Sequence, residues 1–230
     1  QRIDSLGLSG TLDGSGTLQA RSALLEGGSV QADLAADQLN SKGASQLLGQ
    51  ATANVITVQD GSLSLQGANR LLALPALVLQ GSAHLVLGGD TSLGNLSSAQ
   101  GEGQVDLGAF TLSTGARADS SFGGVIAGNG GLVKRGADTT FGLTGDSSYR
   151  GSTWVAEGTL ALGDGGTNGA LATSGFVVDG VLQSRRADAV HFDQPISGSG
   201  VLEQWGTRAD SALVRSEERR VGKECHVVCR

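Results

Sequence analysis

The sequence predicts an all-β chain built as a solenoid of short stacked strands, and three observations carry that reading. Glycine is abundant: 230 residues hold 38 Gly, no Met and only 3% aromatic residues, a composition that supplies many turns and few large side chains. Short segments of alternating apolar and polar residues recur between clusters of Gly, Ser, Asn and Asp. The sequence also repeats itself, with Phe122, Ile126, Gly128, Gly130, Leu132 and Gly136 returning as Phe192, Ile196, Gly198, Gly200, Leu202 and Gly206.

The glycines exclude long helices, because each interior glycine costs roughly 1 kcal/mol relative to alanine. Hydrophobic residues still make up 39%, mostly Leu, Val and Ala, so the chain has enough apolar surface to fold around a thin core. Ser62-Leu63-Ser64-Leu65, His84-Leu85-Val86-Leu87, Gln104-Val105-Asp106-Leu107, Phe110-Thr111-Leu112-Ser113 and Gly158-Thr159-Leu160-Ala161-Leu162 alternate with period two, which predicts strands with one buried face. In the last of these, Leu160 and Leu162 should face the core and Thr159 and Ala161 should point outward. Such strands are too short to fold alone and no helical pattern separates them, so they must stack on one another. A rung of three strands of about 5 residues with turns of about 2 to 4 takes roughly 20 to 25 residues. The offset of the internal repeat, 192 − 122 = 70 residues, then reads as three rungs.

Charge and export signals narrow the function. The formal net charge is −6 and no basic stripe is present, so nucleic acid is not an expected partner. The longest apolar run, Leu71 to Leu79, is interrupted by Pro75 and falls well short of the roughly 20 residues of a membrane helix. Gln1 opens the chain without a charged n-region or apolar h-region, so a secretory signal is expected upstream. Both cysteines, Cys225 and Cys229, lie at the end and the body has none, as suits a chain that must stay unlinked during export.

Three segments are expected: diffuse solenoid repeats over 1–121, a more regular repeat over 122–214, and a tail over 215–230. At Arg215 the Gly/Ser/Thr/Leu texture gives way to Arg-Ser-Glu-Glu-Arg-Arg-Val-Gly-Lys-Glu-Cys. Read back through the genetic code, Arg215 to Cys225 resembles a translated sequencing-library adapter. The tail is therefore set aside as non-native and disordered. With it goes the grouping of Cys225, His226 and Cys229, whose spacing matches no closed zinc site.

Residue types suited to chemistry do occur. His191, Asp193, Ser197 and Ser199 hold the elements of a hydrolytic triad, but neighbours two apart on a strand merely share a face. His84 sits among Leu85, Val86 and Leu87 and reads as a turn or outer-face histidine. Gly145-Asp146-Ser147 lacks the strand-to-helix elbow of an esterase and reads as a turn. Asp164, Asp179, Asp188 and Asp193, with Arg185 and Arg186 nearby, are the set that would have to converge in a polysaccharide-cleaving groove. Asp60-Gly61, Asp164-Gly165 and Asp179-Gly180 are first of all turn dipeptides, in which aspartate bonds its own backbone. The glycine runs match neither phosphate loops nor calcium-binding nonapeptides. No catalytic, cofactor-binding or metal-ligating residue is assigned, and no cofactor is expected.

A family resemblance rests on three consecutive stretches: Gly128 to Gly136 (Gly-Asn-Gly-Gly-Leu-Val-Lys-Arg-Gly), Phe141 to Val155 (Phe-Gly-Leu-Thr-Gly-Asp-Ser-Ser-Tyr-Arg-Gly-Ser-Thr-Trp-Val) and Glu157 to Thr167 (Glu-Gly-Thr-Leu-Ala-Leu-Gly-Asp-Gly-Gly-Thr). These resemble the passenger-associated β-strand repeat of autotransporters, with one full copy and one truncated near Val214. Departures are Asp146, where asparagine is usual, and Trp154, where threonine or valine is commoner. The resemblance implies a right-handed parallel β-helix of the pectin-lyase-like kind. It further implies a bacterial cell-surface or secreted passenger, a monomeric rod that acts as stalk or adhesin toward a host or cell-surface ligand. An outer-membrane β-barrel translocator would lie C-terminal to it. The alternatives are a polysaccharide-cleaving β-helix enzyme, or an antiparallel β-sandwich adhesin in which Phe176 to Leu182 forms a hairpin turning at Asp179-Gly180.

Overall fold

Short strands that cannot bury a face alone meet that need here by stacking in parallel, rung upon rung. The computed structural model describes residues 2–205, 213–215 and 226–229, with side chains over 2–205. Within them the regular structure is entirely strand, and the chain winds through about ten turns of a β-solenoid. Every strand pair is parallel, and each partner lies one rung away along the sequence.

Three faces make up a rung. The first carries Asn95–Ser97, Ser120–Phe122, Thr140–Leu143, Thr159–Leu162, Val181–Ser184 and Val201–Gln204. The second carries His84–Leu87, Gln104–Asp106 and Val125–Ala127. The third carries Thr91–Ser92, Leu112–Thr114, Leu132–Lys134, Thr153–Val155, Phe176–Val178 and Ile196–Ser197.

Rung size is not constant. A turn takes 16 residues from Leu18 to Leu34 and 17 from Leu34 to Ala51, against 21 from Leu132 to Thr153 and 23 from Thr153 to Phe176. The early rungs are thus shorter than the sequence estimate. Their strands bend through corners without separate turns, as in Asp33–Leu47, which spans 15 residues. Core composition follows the perimeter. Buried hydrophobic side chains before Phe122 are Ala, Leu, Val and Ile, whereas Phe122, Phe141, Tyr149, Phe176 and Phe192 fill the wider later rungs. One continuous apolar cluster runs from Ala23 to Leu202, so each rung closes the core of the next.

The internal repeat spans more than three turns. Register carries Leu132 through Thr153 and Phe176 to Ile196, so the residue three rungs below Ile196 is Leu132, on the third face. Its sequence counterpart, Ile126, lies on the second face. The two copies are displaced by three turns and one face because the motif encodes a corner. Gly128 and Gly198 adopt φ of 113° and 112°, which L side chains rarely adopt. Gly130 and Gly200 pack so closely that a Cβ would collide with the carbonyl oxygens of Phe110 and Gly180, respectively. Gly206, the last member of the second copy, lies outside the described residues.

Two further expectations are corrected. Phe176–Val178 and Val181–Ser184 do not pair with each other: they belong to different sheets and each pairs in parallel with neighbouring rungs. Asp179-Gly180 is a solenoid corner, and the antiparallel sandwich falls with the hairpin. In Thr159–Leu162, Leu160 and Leu162 are buried in the core as expected, but Ala161 is fully buried too. It lies in the outward ladder Gly142, Ala161, Gln183, outside the aliphatic cluster. A methyl group scarcely rises above the sheet, and Gln183, one rung on, is itself buried.

Candidate functional site

Several carboxylates fasten one rung to the next, among them Asp60, Asp146 and Asp179 of the sequence candidates. At the corners, Asp33 accepts from the Gln50 amide at 2.9 Å, Asp90 from Thr111 at 2.8 Å and Asp119 from Thr140 at 2.7 Å. Asp60 takes both the amide and the hydroxyl of Ser82, at 3.0 and 3.1 Å. Asp146 takes the amides of Gly169 and Ala170, each at 2.9 Å. Except for the Ser82 hydroxyl bond, each satisfies a backbone donor. Asp164 alone of the three Asp-Gly turns bonds within its own turn, to Gly166 at 3.3 Å.

The remaining candidates do not converge as a set, though Arg186 meets both Asp188 and the cavity that His191 lines. Asp188 grips Arg186 through two bonds of 2.9 and 2.7 Å, which holds its carboxyl below the usual range. Arg185 donates to Gln183 and stands 5.8 Å from the Trp205 ring. His191 is exposed and lines, with Arg186, Phe176 and Phe192, a cavity of about 150 Å³. His84 points outward between Ser62 and Gln104. Ser147 is buried, and its hydroxyl accepts from the Ile126 amide at 3.2 Å. Among the described residues no three His, Cys, Asp or Glu side chains group closely enough to hold a metal ion, and no helix is long and apolar enough to cross a membrane. Cys225 lies outside the described residues, while His226 to Cys229 pairs as a strand with Val201–Gln204.

Two features escaped sequence reading. Lys134 is fully buried, its amine donating to the carbonyls of Arg135 at 2.6 Å, Gly136 at 3.0 Å and Glu157 at 3.2 Å and to the Thr139 hydroxyl at 2.9 Å. Burial lowers its pKa to about 8, opposed by the charges of Glu157 and Asp119. The signal was present in the position of Lys134 between Val133 and Arg135-Gly136, but a lone lysine in a strand gives no hint of burial.

The second feature is Trp154, which stands outward on the third face. Its outward ladder runs Ser113, Val133, Trp154, Val177, Ser197. Its indole N–H donates to the Asp179 carboxylate at 2.9 Å, and the Arg135 guanidinium stands 5.8 Å from the ring centroid. Asp179 is anchored in turn by the amide and hydroxyl of Ser199, at 3.3 and 3.4 Å. The Trp154 bond, then the Ser199 amide, hold its carboxyl below the ordinary aspartate value. This patch combines an exposed indole, an aliphatic flank and opposed charges.

No protein-family model matches the chain, and no solved structure matches it significantly. Over 181 residues, 73% of this chain, it is 29% identical to the adhesin BmaC autotransporter of Brucella suis biovar 1 (strain 1330). Over 79 residues, 34% of the chain, it is 39% identical to an extracellular serine protease of Serratia marcescens. The matched stretches span 5% and 8% of those proteins. In sequence, the chain is similar to a short stretch of a long autotransporter adhesin.

Proposed function

We propose that the chain is a segment of an autotransporter passenger on the bacterial surface or in the medium, acting as a rigid stalk with adhesive faces and without enzymatic activity. The observation that supports this most directly is the unbroken parallel stack with its continuous core, combined with similarity to an autotransporter adhesin along most of the chain. A stack of this kind transmits position along its length and offers its corners and outer faces for contact. The carboxylates support a structural role, because Asp33, Asp60, Asp90, Asp119 and Asp146 are engaged in backbone bonds between rungs. The Cys-free body from 1 to 214 fits passage through an outer-membrane barrel encoded downstream. This reading treats 1–121 and 122–214 as two textures of one solenoid and 215–230 as a non-native tail. Re-sequencing the source DNA tests the tail: a Gly/Thr/Leu continuation after Val214 is expected, and recovery of the same codons would overturn that part.

The decisive experiment fuses residues 1–214 to an outer-membrane translocator barrel in a non-adherent bacterium. Surface exposure, read by added protease, and increased attachment to host cells or extracellular matrix are expected. Failure of the displayed chain to raise attachment would sink the adhesive role. Turnover of polysaccharide or ester substrates that disappears in Asp188→Asn or His191→Ala would sink the non-enzymatic one.

A further inference from the structure

We infer that Trp154 is the centre of a stacking platform for a neutral sugar ring on the outer face of the solenoid. This deepens the adhesive reading above and rests on it. Trp154 is 38% exposed and Val177, one rung on, is 37% exposed, so the third face presents an apolar strip where the rest of the outward ladder is serine or the buried Val133. An exposed indole on a strand is costly to leave in water and useful when a partner covers it.

The ring is already held. Asp179 fixes the indole N–H at 2.9 Å and is itself fixed by Ser199, so little rotamer freedom remains to be lost on binding. The Arg135 guanidinium lies over the ring, 5.8 Å from its centroid, a cation–π distance, and a sugar takes the part of the ring that it leaves exposed. The same bracing recurs at Trp205, whose N–H donates to Glu203 at 3.0 Å with Arg185 5.8 Å from its ring.

Area and charge select the occupant. A stable protein partner needs about 800 Å² per side, far beyond one indole and one exposed valine. A pyranose needs only a ring-sized apolar surface for its C–H face, with polar groups at the rim for its hydroxyls. Here Asp179 accepts and Arg135 donates, each a charge-assisted partner. Because that pair balances locally and the chain carries −6 overall, polyanionic glycans are repelled and neutral ones are not.

The test uses the full chain carrying Trp205→Phe, in which Trp154 is the sole tryptophan and is excited selectively over Tyr149, titrated with cellohexaose, chitohexaose and a heparin hexasaccharide. A saturable change in Trp154 emission with a neutral oligosaccharide, and none with heparin, is expected. Trp154→Thr, at an exposed strand position that tolerates threonine, should keep its thermal midpoint and lose at least tenfold in calorimetric affinity, while Trp154→Phe retains part of it. No response to either neutral oligosaccharide, a preference for heparin, or full affinity in Trp154→Thr would overturn the platform. If sugar binding fails while the displayed chain still promotes attachment, the platform alone is wrong. If sugar binding holds without attachment, the adhesive reading is the one that falls.

Discussion

The most consequential single residue inside the rod is Lys134, because a buried amine must find acceptors for every proton it carries. Its four acceptors belong to the segment Arg135 to Thr139 and to Glu157 one rung on, so the side chain ties a wide corner to its successor. Burial brings its pKa from 10.5 to about 8. Between those values the unfolded chain binds more protons than the folded one, so this lysine makes stability rise with pH across the window and charges its full cost below pH 8. Lys134→Met removes the donor and leaves buried carbonyls unpaired, at about 1–3 kcal/mol, offset at neutral pH by removal of a desolvated charge. The melting temperature of the native chain minus that of the variant should therefore widen between pH 7 and pH 10. A constant difference would show that Lys134 does not titrate there. The repeat motif was legible in sequence, but its chemistry was not. Tyr149 bonds Thr153 at 2.6 Å and Thr153 bonds Thr173 at 3.0 Å, all buried, a hydroxyl chain that only the rung geometry assembles. Asp146 stands in place of asparagine, and its carboxylate accepts from the two amides.

At the scale of the strand, period two was a sound guide to the core and a poor one to the outside. Leu160 stacks between Phe141 and Leu182, and Leu160→Asp removes about 1.5–3 kcal/mol of burial while placing a carboxylate among apolar neighbours. Thr159 is half-buried at the strand start, so Thr159→Asp should cost under about 1 kcal/mol. For a chain of this size about 1 kcal/mol moves the melting temperature by about 2–4 °C, and Leu160→Asp should melt several degrees below Thr159→Asp. Equal shifts would show that the register is wrong, and a larger shift for Thr159→Asp that the strand faces the other way. What alternation could not supply was the corner. Glycine spacing gave the same Gly-x-Gly signature at Gly128 and Gly198, yet nothing local records which face a corner follows. The displacement of the repeat by one face was therefore invisible until register was known.

For the whole molecule, the governing fact is that the strongly packed strand pairs all join neighbouring rungs. Distant parts of the rod then communicate only through the rungs between them, and stability approaches a sum of nearest-neighbour terms. The change in rung size sharpens this, because small aliphatic side chains fill the early turns and aromatic ones the later turns, so the two regions share no core residues. Leu63 lies in an early turn, fully buried between Ser45 and Leu85. Leu63→Asp should strip amide protection from the rungs on either side of it, measured by hydrogen exchange with mass spectrometry, while peptides covering Leu160 to Leu202 keep native protection. A globular domain with one shared core would lose protection everywhere at once, because removing one interior contact lowers the single unfolding barrier for all residues. Uniform loss across the chain would mean that the stack unfolds as one cooperative unit. Graded loss centred on Leu63 would show that each rung is held chiefly by the rungs next to it.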